Sequence, residues 1–381
     1  MAEGPISSPT PFTPHTPEED GSSWLRLIRS RRVGPATFHR LLADHGSVEG
    51  ALAELPAIAR AAGIEGYAPC PPGVVAQELA QGRAAGARLL LWGRPGYPPV
   101  LMDLPDAPPV LWALGDVALL SRPMVALVGA RNASSLGLRM ARRLAEGLGQ
   151  AGFVVASGLA RGIDAAAHEA ALDLGTVAVH AGGVDVIYPE ENKALAQRIA
   201  ATGCRLSEQP PGLAPQARHF PQRNRIVSGL ARAVVVVEAA ARSGSLITAR
   251  SALDQGREVM AVPGHPFDAR ASGCNQLIRD GALLVRGPAD VVEALSLQGP
   301  VRRPSAAVAA PRPASPALPA VPVEGIEGRI LDRLGPSPLA EDQLIRDLAL
   351  PASAVTPAIV ALELEGRLLR QPGGLLARLD A

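Results

Sequence analysis

Residues 124–135 read Met-Val-Ala-Leu-Val-Gly-Ala-Arg-Asn-Ala-Ser-Ser. An apolar strand, Met124–Val128, runs into Gly129, and a helix follows the polar turn to about Gln150. The same unit recurs on either side. Short apolar runs at Phe153–Ala156, Thr176–His180, Cys204–Ser207, Ala233–Val237, Glu258–Ala261 and Ala282–Val285 alternate with helix-like stretches. Such alternation predicts an α/β fold, an extended Rossmann-like, mostly parallel sheet with helices on both faces. Ligands of such sheets sit beyond the carboxyl ends of the strands, and the polar motifs of this chain fall there.

At the first strand end, Gly129, Arg131, Asn132 and Ser134 combine a glycine turn, a guanidinium and helix-start hydroxyls. Free amides there suit an anionic phosphate. The dinucleotide fingerprint is absent, because only Gly129 and Gly137 stand where Gly-x-Gly-x-x-Gly is needed. The second strand end, 157–164, repeats the design with Gly158, Arg161 and Gly162, followed by His168. Asp164 and Asp185 read as capping or loop-bonding carboxylates, since no nucleophile or ligand set accompanies them. A basic cluster, His219-Phe220-Pro221-Gln222-Arg223-Asn224-Arg225, leads to the fifth strand. After that strand, Arg242-Ser243-Gly244-Ser245 offers hydroxyls and amides at another helix start. Several phosphate-shaped strand ends in a row suit a polyanion better than a single nucleotide. No catalytic set, cofactor or metal site is expected.

The 381 residues give length for two or three domains. Residues 1–21 read as a disordered leader, and 22–100 as a small helical domain with its connection. Breaks at Val33-Gly34-Pro35 and His45-Gly46-Ser47 divide its helices, and the first allows a helix-hairpin-helix contact with DNA as well as a plain turn. The Rossmann-like domain is expected over 101–298, a Pro/Ala-rich linker over 299–323 and a winged-helix-like domain over 324–381. The last comprises three short helices, Ile326–Leu334, Ala340–Leu348 and Ala352–Glu365, and a hairpin around Pro372-Gly373-Gly374.

Lys193 is the only lysine. No Walker A loop is possible, because Ala194 follows it, and any imine-bound cofactor is confined to that one side chain. The net charge of +1 averages a basic stretch at 24–40, a second at 205–250 and an acidic tail after 324. Three cysteines, Cys70, Cys204 and Cys274, support neither a disulfide framework nor a zinc pattern and suit a reducing cytoplasm. No apolar run is long enough for a membrane span. With aromatics at 3%, phosphate contacts are expected to dominate over base stacking, giving steep salt dependence.

The order and spacing of Val128-Gly129-Ala130-Arg131, Ser157–Asp164, His168, Tyr188-Pro189, Phe220–Ile226, Arg242–Ala249 and Gly273-Cys274-Asn275 resemble the DNA-processing protein A family of bacterial natural transformation. The resemblance implies a Rossmann-like fold without nucleotide cofactor, binding and protection of single-stranded DNA, loading of a RecA-type recombinase and a homodimer. It puts Arg131 and Lys193 in the DNA pocket. The chain departs from the family at Ala130, where Ser or Thr is usual, and at Leu136, where an aromatic is usual.

Two other readings are weighed. A nucleotide phosphoribohydrolase uses a Gly-rich helix start followed by Thr and a nearby Glu, and no carboxylate follows Thr248 here. A transcription factor would read DNA through the winged helix, but Ala352–Glu365 contains no basic residue. That domain is expected to touch protein, or another copy of itself, more than DNA.

Overall fold

The computed structural model describes residues 17–297, 325–334, 338–371 and 375–379. Most of the expected leader, the whole expected linker and the hairpin turn 372–374 lie outside the described residues. The helical domain consists of α1 (Pro17–Ile28), α2 (Pro35–His45), α3 (Val48–Ala61) and α4 (Pro72–Ala84). The first helix thus begins inside the expected leader 1–21. The two breaks are helix caps. Gly46 closes α2 at φ 71°, donating its N–H to Leu42 O at 2.9 Å, and the Ser47 hydroxyl caps α3 by accepting from Gly50 N at 3.0 Å.

Most arginines of the basic stretch 24–40 have partners within the molecule, while Arg31 and Arg32 are exposed. Arg29 makes a two-pronged pair with buried Glu78 at 2.9 and 3.0 Å. Arg26 donates to Cys70 O at 3.1 Å, Arg31 lies over the Tyr67 ring, and Arg40 pairs with Glu363 at 2.6 Å.

The central region runs β1 (Arg88–Leu91), β2 (Val110–Gly115), β3 (Met124–Val128), α5 (Ser135–Gln150), β4 (Val154–Ser157), α6 (Ile163–Ala171), β5 (Thr176–Val179), α7 (Lys193–Thr202), β6 (Cys204–Ser207), α8 (His219–Leu230), β7 (Ala233–Val236), α9 (Ser245–Asp254), β8 (Glu258–Ala261), α10 (Ser272–Arg279), β9 (Leu283–Leu284) and α11 (Pro288–Leu297). Each expected strand lies within one residue of its expected ends. The nine strands are ordered β1-β2-β6-β5-β4-β3-β7-β8-β9, parallel except at β1–β2 and β2–β6. Along β3, Met124, Ala126 and Val128 enter one apolar core, and Val125 and Leu127 enter the other. All five are buried because helices cover both faces. The chain order reverses on either side of β3, with β4 on one flank and β7 on the other. That switch point opens a crevice at the carboxyl ends.

The antiparallel pair β1–β2 extends the sheet back to Arg88, inside the segment 22–100 expected to be helical domain and connection. It joins the two units. Trp112 of β2 packs under α4 with its Nε1 donating to Glu78 at 2.9 Å, and a Cβ on Gly82 would collide with its ring. Trp24 and Phe38 share that core, with ring centroids 5.1 Å apart. Trp92, at the end of β1, is packed against both the helical core and the sheet core.

The C-terminal unit contains α12 (Ile326–Arg333), β10 (Leu339–Ala340), α13 (Glu341–Leu348), α14 (Ala352–Glu365), β11 (Leu368–Gln371) and β12 (Leu375–Arg378), with strand order β10-β12-β11. This is a winged helix around Ile330, Leu344, Ile359 and Leu376. The end of α14 docks on the helical domain, where Glu363 receives Arg40 and Thr37, and Arg32 donates to Leu364 O.

Candidate nucleic-acid interface

The carboxyl ends of β3, β4 and β7 surround an open cavity of about 870 Å³. Its wall brings together Gly129, Arg131, Asn132, Phe220, Arg223, Asn224, Arg242, Ser243, Gly244 and Ser245. These come from strand ends and from α8, so distant parts of the sequence converge as the parallel topology requires.

Glycines let the turns close. A Cβ on Gly129 would meet Ile163 at 2.6 Å, and Ala130 N donates to Glu238 O at 2.7 Å. Gly162, at φ 73°, faces the backbone carbonyls of Ala130 and Arg131, which leave no room for a side chain. Gly162 therefore supports the first turn from behind.

Arg131 is exposed, and its guanidinium lies 5.6 Å from the Phe220 ring centroid. Tyr188, 52% exposed, meets Phe220 edge-on with centroids 5.7 Å apart. Two of the scarce aromatics, Tyr188 and Phe220, thus line this cavity and offer ring faces beside the arginines. Tyr188 was not legible as a site residue because it lies 32 positions before Phe220 in the chain. Arg270 also lines the cavity; it was missed, and it is fixed by Asp268 at 3.1 Å.

Arg223 forms part of the floor. It is buried, donates to Val179 O at 3.1 Å, and lies so close to Gly158 that a Cβ there would strike the guanidinium. Burial lowers its pKa to about 10, still charged at neutral pH. Asp164 accepts from Gly158 N at 3.1 Å and Ala160 N at 3.3 Å, and burial pushes its carboxyl up despite the Arg223 charge. It therefore acts as a loop-bonding group, as read from the sequence. Below this floor, His168 shares a 2.7 Å bond with the Thr176 hydroxyl, and burial lowers it and His180 to about 3.

The structure separates other expected residues from the cavity. Arg225 belongs to α8, and residues two apart on a helix point to nearly opposite sides. It is buried between Glu208, Asp106 O at 2.6 Å and the Asp106 carboxylate at 3.6 Å, so its role is internal. Ser134 caps α5 by accepting from Gly137 N at 3.0 Å, while Glu238 receives both its N–H, at 2.9 Å, and its hydroxyl. The anion at the start of α5 is therefore this carboxylate, and the amides expected to face a phosphate there are partly spoken for. Arg161 and Lys193 do not line the cavity. Arg161 stands near Glu191 at 3.5 Å and Lys193, which opens α7, near Glu190 at 3.6 Å, all well exposed; Ala160 beside Arg161, and Tyr188 on the loop before α7, do line it. Leu136 faces away, into a different hollow.

At the start of α9, the Ser243 and Ser245 hydroxyls are 2.7 Å apart, and Ser243 also accepts from Ser245 N at 3.3 Å. Arg242 beside them is exposed. All three cysteines are buried, and burial raises Cys204 to about 12 and Cys274 to about 11. Among the described residues, no cluster of three or more His, Cys, Asp or Glu is placed to hold a metal, and no helix is long and apolar enough to cross a membrane.

Three family descriptions match the chain: "DNA recombination-mediator protein A" over residues 88–296, "DprA-like N-terminal HHH domain" over 18–80 and "DprA winged helix domain" over 310–374. The chain is 46% identical over 198 residues to the DNA processing protein DprA of Streptococcus pneumoniae, covering 51% of this chain and 70% of that protein. It is 43% identical over 235 residues to the DNA processing protein DprA of Bacillus subtilis, covering 61% and 78%. The X-ray structure of the Streptococcus pneumoniae protein superposes with a TM-score of 0.59 at 35% identity, covering 73% of this chain and 98% of that one. A structure of DNA processing protein A from Helicobacter pylori, described for its single-stranded DNA binding mode, gives 0.50 at 29% identity and covers 56% and 96%. Fold, domain sequence and strand-end motifs thus converge, and the chain belongs to the DNA recombination-mediator protein A family.

Proposed function

We propose that the chain binds single-stranded DNA in the strand-end cavity and, as a recombination mediator, delivers the strand to a RecA-type recombinase in the cytoplasm. In this reading it works as a homodimer and without chemical turnover. The observation that carries it is the Arg131–Phe220–Tyr188 cluster beside Arg242 and the α9 start, which offers cations for phosphates and ring faces for unpaired bases. Duplex DNA hides its bases in the stack, so a platform of this kind favours single strands. Gly129, Asn132, Phe220, Arg223, Asn224, Ser243, Gly244 and Ser245 complete the proposed contact surface. Arg161 and Lys193 serve at its rim, where each must exchange a glutamate for a phosphate.

Family membership supports this reading over a phosphoribohydrolase. The docking of α14 through Glu363 onto the helical domain speaks against a DNA-reading winged helix. A gel shift comparing single-stranded with double-stranded DNA, with and without the cognate recombinase, tests it. Preferential retention of the single strand is expected, together with faster recombinase filament formation. Equal affinity for both forms, or none for either, overturns the proposal.

A further inference from the structure

A second hollow, of about 720 Å³, lies on the other side of the turn that leads into α5. The two hollows are neighbours by two separate elements. Residues 129–132 line the first, and Ser134 and Gly137 the second; Arg270 lines the first, and His265 and Asp268 the second. Arg139, Arg142 and Arg143 edge the second hollow from one side of α5, at the i, i+3, i+4 spacing that shares a helix face. All three are exposed, and among the described residues none makes a hydrogen bond or an ion pair. The loop after β8 lines the hollow through Pro263, Gly264 and His265, and beside it Phe267 is 95% exposed, with its ring 5.5 Å from that of His265. The nearby carboxylates are largely committed. Asp268 holds Arg270, Glu238 holds Ser134, and only exposed Glu146, one turn further along α5, is unpaired at the far end.

Unpaired guanidinium groups along one wall, with an exposed ring on the loop that forms another, combine charge and stacking surface in the way that suits single-stranded nucleic acid. We propose that this hollow is a second subsite for single-stranded DNA, occupied by the part of a strand that continues past the first cavity over the start of α5. The inference rests on the function proposed above and adds the path of the strand. From Ser135 to Arg143 the helix rises about 12 Å, so only a strand longer than the first cavity reaches all three arginines.

The test uses the full chain and two thymidine oligonucleotides, of about 6 and about 30 nucleotides, the first near the low end of compact single-strand site sizes and the second well beyond them. In R139Q/R142Q/R143Q, the logarithmic salt slope for the long oligonucleotide falls by about 2, at about 0.7 for each phosphate that is no longer neutralised, while binding of the short one is unchanged. In F267A, a fully folded protein is expected to lose about fivefold or more in affinity for the long oligonucleotide alone, the low end of base stacking. An unchanged slope and affinity with the long strand overturns the subsite, as does an equal loss with the short one. Failure of the unsubstituted protein to bind either oligonucleotide overturns the function proposed above and this subsite with it.

Discussion

Two arginines near the same motif should fail in opposite ways when removed. Arg225, with a side chain 7% exposed, neutralises Glu208 and Asp106, whose side chains are 16% and 30% exposed. Removing one member of a fully buried pair costs about 3–5 kcal/mol because the remaining charge is stranded. Here water reaches the two acids in part, so Arg225→Ala is expected to cost about 3 kcal/mol, the lower end of that range. At roughly 2–4 °C per kcal/mol for a unit of this size, the melting temperature should fall by about 6–12 °C. Arg131→Ala removes an exposed guanidinium that lies against the face of Phe220. Its stability should stay within about 0.5 kcal/mol of the parent, while its salt slope for single-stranded DNA falls by about 0.7. Differential scanning calorimetry and filter binding on the two variants read both quantities. An Arg225→Ala protein that melts like the parent yet loses DNA would refute the assignment of Arg225 to the interior.

Three further outcomes follow from the same geometry. Gly158→Ala places a methyl group against the Arg223 guanidinium and should distort the cavity floor, lowering DNA affinity and melting temperature together; a variant unchanged in both would exclude the close packing described for Gly158. His168 and His180 are held near 3 by burial, below the ordinary value of 6.5, so the unfolded chain binds protons that the folded chain refuses. Their contribution to stability is complete above about pH 6.5 and is lost as pH falls toward 3, at about 2.7 kcal/mol per pH unit for the two together. Asp164, raised by burial, titrates in the opposite sense and offsets part of this; urea unfolding at pH 6.5 and 5.5 should show a net loss of about 0.6–2 kcal/mol, and a flat profile contradicts it. Glu363→Gln removes the charge that Arg40 and Arg370 share at 2.6 and 2.8 Å, so limited proteolysis should cut between residues 297 and 325 faster than in the parent; equal cleavage rates would mean that this contact does not hold the winged helix.

The parallel strands were legible because each carries its own apolar run and its own glycine turn, and both signals are local. The pair β1–β2 was not, because Arg88–Leu91 is short and becomes a strand only by pairing antiparallel with Val110–Gly115. The site residues divide along the same line. Gly129, Arg131 and Arg242 line the cavity because a strand end positions them, and the sequence shows where strands end. The bonding of Ser134 to Glu238 was not legible because the two lie 104 residues apart. Arg40 looked like part of a free basic face for the same reason, since its carboxylate is 323 residues on. Counting charge in a window treats each group as unpaired until the fold supplies the partner. The separation of Arg225 from Arg223 follows from period, because two-residue spacing keeps side chains together on a strand and drives them apart on a helix.

The packing of Trp112 beneath α4 has a spectroscopic consequence. The three tryptophans, Trp24, Trp92 and Trp112, all lie in the helical domain or at its seam with the sheet, and none lies in the cavity or the winged helix. Intrinsic tryptophan emission therefore reports the opening of that seam and is blind to events at the strand ends. Circular dichroism, in contrast, sums over every helix. Coincident denaturation curves from the two probes would show that the helical domain and the sheet melt as one cooperative unit, and an earlier fluorescence transition would show the seam parting first.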